Sequence, residues 1–243
     1  MLEPMRGEFE ELDSCETRLG LLSLRRRRER LLGGVEIYEV KLGDEFLMSS
    51  LFHAAESALA ELGLEGIDAP ELDVVVGGLG LGYTAAVALD QPGVSSLLVI
   101  DALGEVIDWH RRGLVPLGEK LTADPRLEYV HGDFFDLASA EGGFDRSNPG
   151  RLFHAVLLDV DHSPTNVLHP RHAEFYRPEG LRRLATQLQP GGVFALWSND
   201  DPDEGFMRAL EAVFADSRAH VVSFHNPYQL RDSSNTVYVA RRS

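Results

Sequence analysis

The residues best suited to chemistry are a glycine cluster, Gly77-Gly78-Leu79-Gly80-Leu81-Gly82, and three aspartates that follow it, Asp101, Asp133 and Asp159. Glycine lacks a Cβ. A loop with Gly78-x-Gly80-x-Gly82 spacing can therefore turn sharply and bring its backbone against a ligand, while the next helix points its first N–H groups inward. Alone, this spacing also fits dinucleotide folds and plain turns. The acids narrow it. Asp101 ends the next apolar run, where a carboxylate can accept hydrogen bonds from both hydroxyls of a ribose. Asp133 can accept one from an adenine amino group. Each acid taken singly also reads as a helix cap, but the ordered set describes a site for an adenosine cofactor. No Walker lysine follows the loop and no G-x-S-x-G elbow exists, which argues against a P-loop nucleotidase and a serine hydrolase.

These residues need a sheet to hold them. Val74–Val76, Leu97–Ile100, Leu127–His131, Ala155–Leu158 and Val193–Trp197 are short runs, mostly apolar on both faces, each followed by helix-compatible sequence. Buried parallel strands read this way, with helices on both faces and ligands at the carboxyl ends of the strands. Ala219–Phe224 and Thr236–Ala240 are joined through Asn226-Pro227-Tyr228 without room for a crossover helix, which predicts an antiparallel pair at the end of the sheet. Upstream, Val35–Leu42 alternates apolar and polar residues, Gly43-Asp44 is a turn pair, and Glu45–Ser49 returns, giving a small β-hairpin. His53–Leu62 reads as a helix. Trp109 reads as a core residue. The expected organisation is a charged, partly helical arm over residues 1–33, a hairpin and helix over 34–66, and a cofactor-binding catalytic domain over 67–243. The expected fold is α/β: a doubly wound, mostly parallel, seven-stranded Rossmann-like sheet with a small N-terminal hairpin.

From Leu72 to about Gly192 the chain resembles the class I S-adenosylmethionine-dependent methyltransferase fold, and more closely the spermidine synthase family. The resemblance is carried by Val74–Gly82, by Asp124–Asp133, and by the spacing from Asp159 through Glu174-Phe175-Tyr176 to Gln189-Pro190-Gly191-Gly192. It implies that Gly77, Gly78, Gly80, Gly82, Asp101, Asp133 and Asp159 bind S-adenosylmethionine or its decarboxylated form, and that the protein is a homodimer. Two signatures differ. The family's GGGDGG loop has an acid where this chain has Gly80. Its DSSD signature ends in a catalytic aspartate where this chain, reading Asp159-Val160-Asp161-His162, has His162. An aminopropyl acceptor is an ammonium ion at neutral pH, and carboxylates both bind it and take its proton. With those acids changed, methyl transfer to a small molecule is the favoured reaction, with Asp159, Asp161 and His162 as catalytic candidates and His162 as a possible base. Aminopropyl transfer to an amine is the alternative, and a non-catalytic adenosine-binding module the second. His169 and His172 are expected to line or cover the acceptor site. The histidine spacing matches no metal pattern, and no metal is expected.

Composition sets the partners. With 39 acids against 23 bases the net charge is −16, so a phosphate backbone is repelled and nucleic acid is not an expected partner. Arg25–Arg28 is the basic exception and reads as a solvated helix face or mobile arm. No apolar run reaches the roughly 18 residues that a membrane helix needs. The single Cys15 excludes a disulfide within the chain, and Met1–Glu16 is too acidic for a secretion signal, so the expected location is the cytoplasm.

Overall fold

Alternation within each apolar run decides the architecture. A computed structural model describes residues 9–243. Its first four strands, β1 (Phe9–Thr17), β2 (Gly20–Glu29), β3 (Val35–Leu42) and β4 (Glu45–Ser49), form an antiparallel meander, and helix α1 (Ala54–Leu64) follows. Next come β5 (Leu72–Gly77), α2 (Tyr83–Asp90), β6 (Val94–Asp101), α3 (Gly104–Arg111), α4 (Gly118–Ala123), β7 (Leu127–His131) and α5 (Phe134–Ser139). The chain closes with β8 (Phe153–Leu158), α6 (Pro178–Ala185), β9 (Leu188–Ser198), α7 (Glu204–Glu211), β10 (Asp216–Asn226) and β11 (Arg231–Arg241). The main sheet has seven strands in the order β10-β11-β9-β8-β5-β6-β7. β9, β8, β5, β6 and β7 run parallel, and β11 is antiparallel to both β9 and β10. This is the expected mostly parallel α/β sheet with an antiparallel end.

Both faces of the sheet are buried. Val74, Val76, Leu97, Val99, Ala155, Leu157, Val193 and Ala195 pack on one side with Leu59, Leu81 and Trp109. Val75, Leu98, Ile100, Val156, Leu158, Phe194 and Leu196 pack on the other with Phe134, Phe144, Phe175 and Leu181. Successive strand residues point to opposite faces, so an unbroken apolar run feeds both cores. Trp109 is a core residue, as expected, and its indole N–H donates to Asp13 at 2.9 Å. No helix among the described residues is long and apolar enough to cross a membrane.

The stretch read as a partly helical arm is different. Residues 1–8 lie outside the described residues, but 9–29 form β1 and β2. The segregated charges that suggested an arm are a cross-strand ladder: Glu10 faces Arg26 and Glu11 faces Arg25. Arg25 pairs with Glu11, Arg26 with Glu10, Arg27 with Glu29 and Glu39, and Arg28 with Glu36, at 2.6–3.7 Å. Opposite charges across an antiparallel pair stabilise it, and Leu22 and Leu24 of β2 enter the main core. All four arginines are thus engaged within the fold.

Arg27 also fastens this sheet to the far end of the main one. Its guanidinium donates to the Tyr228 hydroxyl at 2.8 Å, Tyr228 donates to Glu29 at 2.9 Å, and Phe52 packs against Phe224 and Tyr228. Arg27→Ala removes three partners of a partly buried cation. It should cost about 1–2 kcal/mol, or about 2–8 °C in melting temperature for a domain of this size. A thermal melt equal to that of the parent would show that the fastening carries no stability.

Candidate active site

The glycine loop leaves β5 where β6 and β8 flank it. Gly78 N–H donates to the Ile100 carbonyl at 2.9 Å, and Asp159 N–H donates to the Gly77 carbonyl at 2.7 Å. Gly78 has a φ of 93°, and a Cβ there would run into the Asp159 carbonyl oxygen. Gly80 has a φ of 47° and lies under the Met48 thioether, whose sulfur accepts the Leu81 N–H at 2.7 Å. The left-handed φ favours glycine at position 80, and a side chain there would also have to push the flexible Met48 thioether aside. Gly77 ends β5 and Gly82 precedes α2. Above the loop lies a cavity of about 490 Å³, floored by Gly78, Gly80, Asp101 and Asp159 and roofed by residues of β3 and β4, including Val40, Leu47 and Met48.

Asp101 is held by backbone. One carboxylate oxygen accepts the Leu79 N–H at 2.9 Å and the other the Leu103 N–H at 2.8 Å. Burial raises its pKa, and these backbone donors pull it back. Asp133 is the N-cap of α5: it accepts from Phe135 N at 2.9 Å and Asp136 N at 3.3 Å, and it is ion-paired with Arg171. The cap is therefore real, yet Asp133 still lines the cavity.

Asp159 meets an acid that sequence reading missed. Burial raises its pKa to about 6, opposed by a 2.9 Å hydrogen bond from the Thr84 hydroxyl. Glu56, on α1, is raised to about 8 by burial and then by the charge of Asp159. Both line the cavity, and Glu56 is only 8% exposed. The available signal was its position: Glu56 shares the inner face of α1 with the buried Leu59, Ala60 and Gly63.

The segment after β8 divides the remaining candidates. Asp161 is 1% exposed and turned into the protein, where it accepts from Leu168 N, His172 Nδ1 and the Tyr176 hydroxyl. It is not among the cavity-lining residues. His162 lines the cavity and its Nε2 contacts Glu45 Oε1 of β4 at 2.7 Å, which ties the N-terminal sheet to the end of β8. His169 and His172 also line the cavity, and His169 caps the short turn Pro170–Glu174. His53 stacks on Tyr83 at 4.2 Å, beside the start of α2. A second, more open groove of about 610 Å³ runs between β1 and α3, but its Asp13 and Asp108 are already paired with Arg112.

No family model and no curated protein matches this chain. Solved structures do. A spermidine synthase in complex with the transition-state analogue AdoDATO aligns with a TM-score of 0.72 at 16% identity, covering 96% of this chain and 74% of that one. Spermidine synthase from Thermotoga maritima aligns with a TM-score of 0.70, also at 16% identity, covering 96% of this chain and 73% of its own. The chain has a spermidine synthase-like fold, built on the α/β sheet of the class I methyltransferases.

Proposed function

We propose that this protein is an aminopropyltransferase that takes decarboxylated S-adenosylmethionine as donor and a small amine as acceptor. The observation that carries the reading is the Glu56–Asp159 pair beside Gly78. Two buried carboxylates with raised pKa values are poised to ionise against a cation. Two changes in the sequence favour methyl transfer, Gly80 where an acid is expected and His162 in place of the catalytic aspartate. Glu56 supplies a carboxylate to the same cavity from a different element, which offsets the first of them. An intact donor would bring its own carboxylate towards two acids, whereas the decarboxylated form brings only an ammonium. The solved neighbour that holds AdoDATO agrees with this preference. A buried acid pair is also a costly feature for a purely structural module.

In this reading Gly77, Gly78, Gly80 and Gly82 let the backbone approach the donor, and Asp101 accepts from the ribose hydroxyls. Asp133 accepts from adenine: a carboxylate offers about four lone-pair sites, and its cap and Arg171 leave one free. Asp159 and Glu56 hold ammonium. His162 braces the cavity wall through Glu45, and Asp161 positions the segment after β8. Dimerisation, a cytoplasmic location and residues 67–243 as the catalytic unit belong to the same proposal.

Calorimetry with decarboxylated S-adenosylmethionine, S-adenosylmethionine, methylthioadenosine and NAD tests it. The decarboxylated donor should bind at least about tenfold more tightly than the intact one, the scale of one charge-assisted hydrogen bond. A bound cation lowers both carboxyl pKa values. Binding near pH 7 should therefore release protons, and affinity should rise from pH 6 to pH 8. Preference for intact S-adenosylmethionine would restore methyl transfer. Binding of NAD alone would remove the whole reading.

A further inference from the structure

Acceptor chemistry needs a base, and Asp159 and Glu56 are committed to holding cation. The geometry points to another pair. The Asp161 side chain is fully buried and accepts three hydrogen bonds, from Leu168 N at 2.7 Å, the Tyr176 hydroxyl at 2.8 Å and His172 Nδ1 at 2.9 Å. Burial, and after it the charge of Asp161, hold the Tyr176 phenol well above its ordinary pKa, so Tyr176 keeps its proton and donates. A carboxylate has no hydrogen to give, so Nδ1 of His172 must carry one. In the neutral ring the lone pair then sits on Nε2.

His172 lines the cavity, and its Nε2 keeps some exposure and has no hydrogen-bond partner among the described residues. The ring is fixed in place. It stacks on Phe135 with centroids 3.9 Å apart and planes 23° from parallel, and His169 lies 5.8 Å away on the same turn. Arg171, the nearest cation in sequence, is engaged by Asp133 and Asp136. A buried carboxylate that fixes a histidine tautomer and stabilises its imidazolium is the arrangement by which a neutral imidazole becomes an effective base.

We propose that Nε2 of His172 is the general base that deprotonates the acceptor amine, with Asp161 as its positioning residue. The proposal rests on the aminopropyl-transfer reading. The acceptor enters as an ammonium and passes one proton to Nε2. Its freed lone pair forms the N–C bond to the donor's propyl carbon as the C–S bond breaks, and that electron pair returns to sulfur as a neutral thioether. The imidazolium, paired with Asp161, later returns its proton to water.

Single-turnover rates with decarboxylated S-adenosylmethionine and putrescine, donor affinity by calorimetry, and nitrogen-15 spectra of the His172 ring test this on the full chain. His172→Gln should slow transfer by about 10²–10⁴-fold, the usual share of general acid–base catalysis, with donor affinity changed by less than about threefold. The parent ring should be the Nδ1-protonated tautomer. Asp161→Asn, which can donate to Nδ1, should turn it to the Nε2-protonated one, a change that loss of packing alone would not produce. Putrescine should shift the Nε2 resonance of the parent. Transfer within about threefold of the parent in His172→Gln, an Nε2-protonated parent ring, or no shift with putrescine would each overturn the proposal. The last two readings need only the parent protein, so they decide even if a variant fails to fold. If the parent binds donor but transfers to no amine, the function reading fails by itself, while tautomer and amine shift still judge His172.

Discussion

Glu56→Gln is expected to stabilise the empty protein at alkaline pH and to weaken its hold on a cationic donor, two opposite effects from one neutral amide. Glu56 has its pKa raised from 4.5 to about 8 by burial and by Asp159. The sign follows from linkage. The unfolded chain loses this proton near its ordinary pKa, whereas the folded chain keeps it until about 8, so the stability of the protonated, buried form is fully present below 4.5 and is lost as pH rises towards 8. Glutamine does not ionise and escapes that loss. The melting temperatures of parent and variant should nearly coincide at about pH 4 and separate with rising pH, the variant gaining on the order of a few kcal/mol by about pH 9. Donor affinity should move the other way, by about 10- to 100-fold, because one charge-assisted contact is gone. Melts across this pH range and calorimetry at pH 8 check both halves. Parallel melting profiles would show that Glu56 does not carry a raised pKa. Tighter donor binding in the variant would show that the acid pair does not receive the cation.

How much of this was legible in the sequence varies with the distance over which the cause acts. The strands of the main sheet were legible because each run, such as Val74–Val76, feeds two cores and ends in a glycine or an acid. The hairpin was legible down to its bounds, Val35–Leu42 and Glu45–Ser49, because alternation and the Gly43-Asp44 turn are local. β1 and β2 were not. Only Arg18 and Leu19 separate them, so distance is not the cause: charged residues mask the apolar alternation of both strands, and Glu10 and Arg26 become a ladder only once the strands pair. The glycine loop and Asp101 were visible as a motif, but the cover over Gly80 was not, since Met48 reaches it from another sheet. Glu56 belongs to no motif, and it feels the charge of Asp159 only after α1 docks. The Asp161–His172 contact spans an irregular segment, where no periodicity predicts which side chain turns inward.

Asp101→Ala should lower affinity for methylthioadenosine or any other adenosine ligand by about 100-fold or more. Each hydrogen bond from a ribose hydroxyl to an ionised acceptor is worth about 1.5–3 kcal/mol, and there are two. The change also leaves the Leu79 and Leu103 N–H groups without the oxygens that now hold them at 2.9 and 2.8 Å. Weakened binding alone would therefore not distinguish a lost ligand contact from a disturbed glycine loop. A cycle with 2′-deoxy-methylthioadenosine separates them. If Asp101 accepts from the ribose, removing the 2′-hydroxyl costs the parent affinity but costs the variant almost nothing, because the partner is already gone. If the loop is merely disturbed, the two losses add. Asp101 is proposed to act on the ligand directly, so the expected result is a coupling of about 1.5–3 kcal/mol between residue and hydroxyl. Additive penalties would assign Asp101 to the loop and leave ribose recognition to other residues of the cavity.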